Sequence, residues 1–160
     1  MVWLLFVVVV LAFGFVLLFG PPYLPTRKKQ IQVALDFLAL KPGQTMLELG
    51  CGDGRVLRAA AKRGWNTVGI ELNPLLVVVA RIVTWRYRKQ VRIIWGDYFR
   101  VNWPPAQGIF TFMIPRQMTQ LDKHIQEHTK QPIRLVSFAF AIPDKTPAKQ
   151  QDAVFLYEYR

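Results

Sequence analysis

The chain has a single cysteine, Cys51, among 160 residues. That excludes an intramolecular disulfide and leaves a thiolate metal site without a second sulfur; a lone cysteine fits a reducing compartment. Acids are scarce too: 10 Asp and Glu stand against 21 Lys and Arg, for a net charge of +11. No charged residue precedes Arg27, so the whole excess belongs to residues 27–160. A domain this basic expects an anionic neighbour, whether lipid headgroups, nucleic acid or an acidic protein face. Two phosphate-binding signatures are also missing. The dinucleotide fingerprint G-x-G-x-x-G fails because its last position falls on Arg55, and no Gly-Lys-Ser/Thr follows the glycines. Internal repeats and low-complexity tracts are absent.

Residues 2–19 form an uninterrupted apolar run without one charge. As a helix, 18 residues extend roughly 27 Å, enough to cross a hydrocarbon core. Trp3 and Tyr23 lie near its ends, Gly20-Pro21-Pro22 stops it, and Arg27-Lys28-Lys29 follows. A cleaved signal peptide fits less well, since there is no basic n-region and no A-x-A-like site. The expectation is a transmembrane anchor and Pro-rich linker over residues 1–26 and one domain over 27–160. The positive-inside rule places that domain on the cytoplasmic side of a bacterial inner membrane or an organelle equivalent.

Within the domain the pattern alternates. Residues 30–40 have helical apolar spacing, and 45–49 read as a strand that enters a loop with Gly50, Gly52 and Gly54. A helix over 55–63, a strand over 67–72 and a helix from Asn73-Pro74 to about Tyr87 follow. Further strands are expected at 91–95, 109–114, 135–142 and 153–159, with a helix over 116–128. Residues 100–108, with Pro104-Pro105, are too short and broken for a full helix. Alternating strands and helices give an α/β fold, a mostly parallel sheet with helices on both faces.

Three strand ends carry chemistry. In an open α/β sheet they share one edge, where ligands bind. The glycine loop lets a ligand approach backbone N–H groups at a helix N-terminus. Glu48, inside the first strand, is expensive to bury unless something cationic or hydrogen-bonding meets it. Glu71 can accept from two ribose hydroxyls, and Asp97 from an adenine amine with Tyr98 or Phe99 beside the ring. The order suits an adenosine ligand. Cys51 reads as a small spacer. His124, Glu127 and His128 match H-x-x-E-H, but Glu158 is the only acid in the final strand that could be a distant third ligand and the domain is too small for that enzyme class, so no metal is expected.

With these motifs in place, the chain resembles the class I S-adenosylmethionine-dependent methyltransferases, E-L-G-C-G-D-G-R matching their first motif, G-I-E-L-N-P the second and G-D-Y-F the third. More narrowly it is similar to the small membrane-anchored lysine methyltransferases of the adenine nucleotide translocase and the ATP synthase c-subunit, with their bacterial relatives. The shared features are the apolar anchor, G-P-P-Y-L-P-T, L-K-P-G, G-D-G-R with E-L-N-P, and the strand ending at Pro115 followed by Met118. The resemblance implies a Rossmann-like fold and S-adenosyl-L-methionine as cofactor. It implies a cofactor site of Glu48, Gly50, Cys51, Gly52, Asp53, Gly54, Glu71, Leu72, Asn73, Asp97 and Tyr98. The acceptor is expected at Met113, Ile114 and Pro115, with Trp95, Trp103 and Phe112 either lining its pocket or packing in the core. A protein acceptor and an anionic membrane surface are the expected partners. Nucleic acid is disfavoured, because methyltransferases of nucleobase amines share an Asp/Asn-Pro-Pro-aromatic motif that is missing here. A small-molecule or lipid acceptor, and a non-catalytic cofactor-binding scaffold, stand as the alternatives.

Overall fold

The computed structural model describes Trp3, residues 26–129 and residues 131–160. The anchor expected over residues 2–19 lies outside the described residues, Trp3 apart. Among the described residues no helix is long and apolar enough to cross a membrane. The elements run α1 (Lys28–Leu38), β1 (Thr45–Leu49), α2 (Arg55–Lys62), β2 (Asn66–Glu71), α3 (Pro74–Thr84) and β3 (Val91–Trp95), then β4 (Gly108–Thr111), α4 (Pro115–His128), β5 (Ile133–Phe138), β6 (Lys149–Gln151) and β7 (Val154–Tyr159). They build one seven-stranded sheet in the order β3-β2-β1-β4-β5-β7-β6. The first five strands are mutually parallel, whereas β7 runs antiparallel to both β5 and β6.

Strand alternation divides the core. Met46 and Phe110 point to the face covered by Ile31, Ala34, Leu35 and Leu38 of α1 and by Val56, Leu57 and Ala60 of α2. Leu47, Leu49 and Ile109 point to the other face, against Met118, Leu121 and Ile125 of α4. Fully burying each of these side chains other than the alanines is worth roughly 1.5–3 kcal/mol. Where a helix would cover this second face between β3 and β4, Tyr98, Phe99, Val101 and Trp103 of an irregular segment pack instead. The prolines expected to break this stretch do so.

Several boundaries differ from the sequence pattern. The strand expected over 109–114 ends at Thr111, because Ile114 is extended before proline and Pro115 opens α4 at its first turn. The strand expected to reach 142 ends at Phe138. Ala139 adopts φ 69° and its N–H donates to Ala153 O at 2.8 Å. The hairpin β6–β7 turns on two residues, Asp152 and Ala153, both with positive φ (50° and 59°). Strand β6 is Lys-Gln-Gln and fully exposed, so no apolar alternation marks it. Helix α3 ends at Thr84 and passes into a 3-10 turn, Trp85–Tyr87.

Candidate functional site

The glycine loop sits at the carboxyl end of β1, between β2 and β4. Its backbone is anchored from β2: Gly50 and Cys51 N–H both donate to Ile70 O, at 2.9 and 3.1 Å. Gly50, Gly52 and Gly54 all have positive φ (77°, 53° and 77°), so any side chain there would be strained. The three glycines nonetheless serve different ends. A Cβ on Gly50 would point into open space, the cradle a ligand needs. A Cβ on Gly54 would press on Ala80 at 3.1 Å and Thr84 at 3.2 Å, so this glycine lets α2 approach α3. Gly69 of β2, which opens G-I-E-L-N-P but was given no role from the sequence, has no room either: its Cβ would meet Leu57 at 2.6 Å and Cys51 Sγ at 2.7 Å.

Glu48 lies under the loop, 4 % exposed, and its Oε2 is buried without a hydrogen-bond partner. Burial pushes its carboxyl well above the usual range; the nearby Asp53 and Glu71 carboxylates push it further, against a backbone hydrogen bond from Leu57. Burial and the same three acids raise the Cys51 thiol well above its ordinary value, which disfavours the thiolate. Glu71, 8 % exposed at the end of β2, bridges the two sides of the cradle. Gly52 N–H donates to its Oε2 at 2.9 Å and Asn73 N–H to its Oε1 at 2.8 Å. Each oxygen keeps a further lone pair for a ligand hydroxyl. Glu48, Asp53 and Glu71 thus converge on one loop. Among them Asp53 is held by Arg55, whose Nη2 donates to Oδ2 at 2.8 Å.

The other expected site residues are brought to the same edge in more structural positions. Asn73 caps α3, its Oδ1 accepting from Leu75 N–H at 2.9 Å. Leu72 O accepts from the Trp95 indole at 3.0 Å, which holds Trp95 at the sheet edge, 65 % exposed. Asp97 closes its own turn: Oδ1 accepts from Phe99 N–H at 2.9 Å, and Arg100 stands 3.5 Å from Oδ2. Tyr98 is half-buried beside it, its phenol pushed up to about 12 by burial and then by Asp97 and Glu71.

Beyond β4, Met113 is buried whereas Ile114 and Pro115 are exposed at the start of α4. Phe112 packs on Phe138 and Phe140 with ring centroids 4.9 and 6.2 Å away. Trp103, a candidate for the same pocket, goes elsewhere: its ring lies 4.5 Å from His124 and its N–H donates to Tyr98 O. It roofs the sheet face in place of a helix. His124 and His128 stack on each other at 4.2 Å, and the described residues hold no group of three His, Cys, Asp or Glu able to bind a metal. Burial and the neighbouring His128 lower the His124 imidazole, against Glu127.

The arrangement is a cradle of open backbone ringed by carboxylates. Acids in such a place favour a ligand bearing positive charge and hydroxyls over a phosphate.

Comparison with known proteins agrees. The chain is 32% identical over 143 residues to the ATP synthase c-subunit lysine N-methyltransferase of Xenopus laevis, a match covering 86% of this chain and 63% of that protein. The chain thus spans less than two thirds of that relative's length. It is 28% identical to a protein-lysine N-methyltransferase of Saccharolobus islandicus, over 79% of this chain and 81% of that one. In structure it is similar to an RNA methyltransferase of Salinibacter ruber crystallised with S-adenosyl-L-homocysteine, with TM-score 0.77, 26% identity and coverage of 85% and 92%. The family model described as the ANTKMT methyltransferase domain matches residues 48–149, from the buried acid of β1 to the start of β6, and the chain belongs to that family.

Proposed function

We propose that this chain is an S-adenosylmethionine-dependent methyltransferase acting on a lysine of a protein, held at a membrane by residues 1–26 with its domain on the cytoplasmic side. The observation that carries the cofactor assignment is the orphaned Glu48 Oε2, buried beside the open cradle at Gly50. A carboxyl left in that state costs free energy until a cation or donor reaches it. A dinucleotide would bring pyrophosphate into the same ring of acids. The bound cofactor supplies an electrophilic methyl group on its sulfonium. Glu48 is placed to meet the amino-acid ammonium, Glu71 the ribose hydroxyls, and Asp97 with Tyr98 the adenine.

Transfer by in-line displacement asks mainly for alignment. The acceptor side is where Met113, Ile114 and Pro115 leave β4, next to the Phe112, Phe138 and Phe140 cluster. Such apolar walls disfavour an ammonium and so favour the neutral amine that attacks. The relatives named as protein-lysine and ATP synthase c-subunit lysine N-methyltransferases support a protein acceptor. The RNA acceptor named for the Salinibacter ruber enzyme is a second reading. The chain offers Thr111-Phe112-Met113-Ile114-Pro115 there, not the Asp/Asn-Pro-Pro-aromatic motif.

The test is transfer of labelled methyl from S-adenosylmethionine into isolated membranes, comparing wild type with Glu71→Ala. A labelled protein band that survives lipid and RNA removal, and disappears in the variant, is expected. Label confined to RNA, lipid or small molecules would replace the acceptor. Cofactor binding without label in any fraction would support a scaffold instead.

A further inference from the structure

Helix α3 has an outer face that the fold leaves bare. Its inner face, Val77, Ala80 and Thr84, packs on the sheet and on α2. Its outer face carries Leu75, Val78, Val79 and Ile82 at helical spacing, continued by Trp85 in the 3-10 turn. Ile82 is 70 % exposed, Trp85 66 % and Val78 53 %. Beside it, Trp95 stands on β3, the edge strand of the sheet.

The charge around this stripe has one sign. Arg81, Arg86, Arg88, Lys89 and Arg92 lie within residues 74–95, a stretch without an acid. All five are exposed, and none takes part in an ion pair among the described residues. The Arg88 guanidinium stands 5.1 Å from the Trp85 ring centre, so cation and aromatic share one patch.

We infer that the outer face of α3, with Trp85 and Trp95, docks on the surface of an anionic lipid bilayer, as a contact separate from residues 1–26. An exposed apolar stripe rimmed by arginine with tryptophan at its end is the pattern of a helix lying in a membrane interface. The apolar stripe with its tryptophans favours a bilayer interface, and charge argues against two other occupants. A second copy would set five unpaired cations against five more. Residues 1–25 carry no charge, so they would cover the stripe without answering the arginines. The stripe starts at Leu75, beside Asn73 and hence beside Glu71, so docking brings the ligand edge of the sheet close to the bilayer.

The experiment uses the full chain in vesicles, with an environment-sensitive fluorophore on Ile82→Cys and, as control, on Lys62→Cys of α2. Both positions are exposed, and Cys51 is buried. With phosphatidylglycerol present, the label at 82 is expected to shift to the blue and to be quenched by nitroxide lipids several-fold more than the label at 62. Pure phosphatidylcholine, high salt or the double charge reversal Arg81→Glu with Arg86→Glu should remove the difference. A label at 82 that stays aqueous on anionic vesicles overturns the inference. So does shielding without nitroxide quenching, which would mean cover by residues 1–25 or, if it fades on dilution, by a second copy. Quenching that survives the charge reversal overturns it as well.

Discussion

Glu48 is a buried acid and Asp122 a half-buried one, and their surroundings are opposite. Glu48 sits in β1 with Oε2 unpartnered and its carboxyl pushed up. Asp122, in α4, has its carboxylate saturated. Lys145 Nζ and Tyr159 OH both donate to Oδ1 at 2.5 Å, and Gln126 donates to Oδ2 at 2.8 Å. Burial pushes the Asp122 carboxyl up, but these three hydrogen bonds outweigh it and hold it below the usual range. Lys145 also lies over the Tyr159 ring at 3.9 Å, so the cluster ties α4, the loop after β5 and strand β7 together. An acid whose partners come from its own chain is a fastening. One left wanting a partner is a place for a ligand.

The largest effect is expected at Glu71, which belongs to the ligand side of this contrast and also bridges Gly52 and Asn73. Glu71→Ala removes charge-assisted contacts to a ligand and loosens both walls of the cradle. Two such contacts together are worth roughly 3–6 kcal/mol. S-adenosylhomocysteine affinity measured by calorimetry should fall by about a hundredfold or more, with the far-UV spectrum unchanged. An unaltered titration would remove Glu71 from the site.

On the fastening side, Asp122→Ala strands Lys145 and the Tyr159 hydroxyl where their partner was 18 % exposed. A loss of roughly 2–4 kcal/mol in unfolding free energy is expected, with cofactor affinity unchanged. The pH dependence has a definite sign. Asp122 has a folded pKa below its unfolded one, so its contribution is complete above about pH 4 and is lost as pH falls through the folded value. Urea titrations at pH 7 and pH 3 should therefore show the gap between wild type and variant shrinking in acid. A gap that stays constant would mean that Asp122 acts through packing alone.

The two regions were not equally legible in the sequence. The glycine loop, Glu48, Glu71 and Asp97 stand out because their residue types clash with their places: a carboxylate inside a strand, glycines where a helix is about to start. The parallel half of the sheet was legible for the related reason that buried strands read as continuous apolar runs. Asp122 gave no signal, since an acid on an amphipathic helix is ordinary. Its partners, Lys145 and Tyr159, come from 23 and 37 residues downstream, a distance no local pattern spans. Strand β6 was hidden by its polar Lys-Gln-Gln, and the end of β5 by Ala139, whose left-handed backbone nothing local demands. The packing role of Gly69 was hidden because its neighbours Leu57 and Cys51 meet it only in three dimensions. The fate of Trp103 belongs to the same class, since the His124 ring it covers arrives from α4.

Glu48→Gln sharpens the contrast most finely, because it separates the two consequences of leaving an acid without partners. The folded carboxyl titrates above its unfolded range, so between those values the folded protein binds more protons than the unfolded one. Wild-type stability therefore falls as pH rises from about 4.3 through the folded pKa. Glutamine keeps the shape of the side chain and never ionises, so the unliganded variant should melt higher than wild type at pH 7. The two should converge near pH 4, where both side chains are neutral. Without its charge, however, the variant loses the attraction for a ligand ammonium, and S-adenosylhomocysteine affinity should drop roughly tenfold. Higher stability with weaker binding is the signature of a group kept for its ligand. If Glu48→Gln lowered both, Glu48 would be a fastening like Asp122, and the cradle would have to find its cation-seeking group in Glu71 alone.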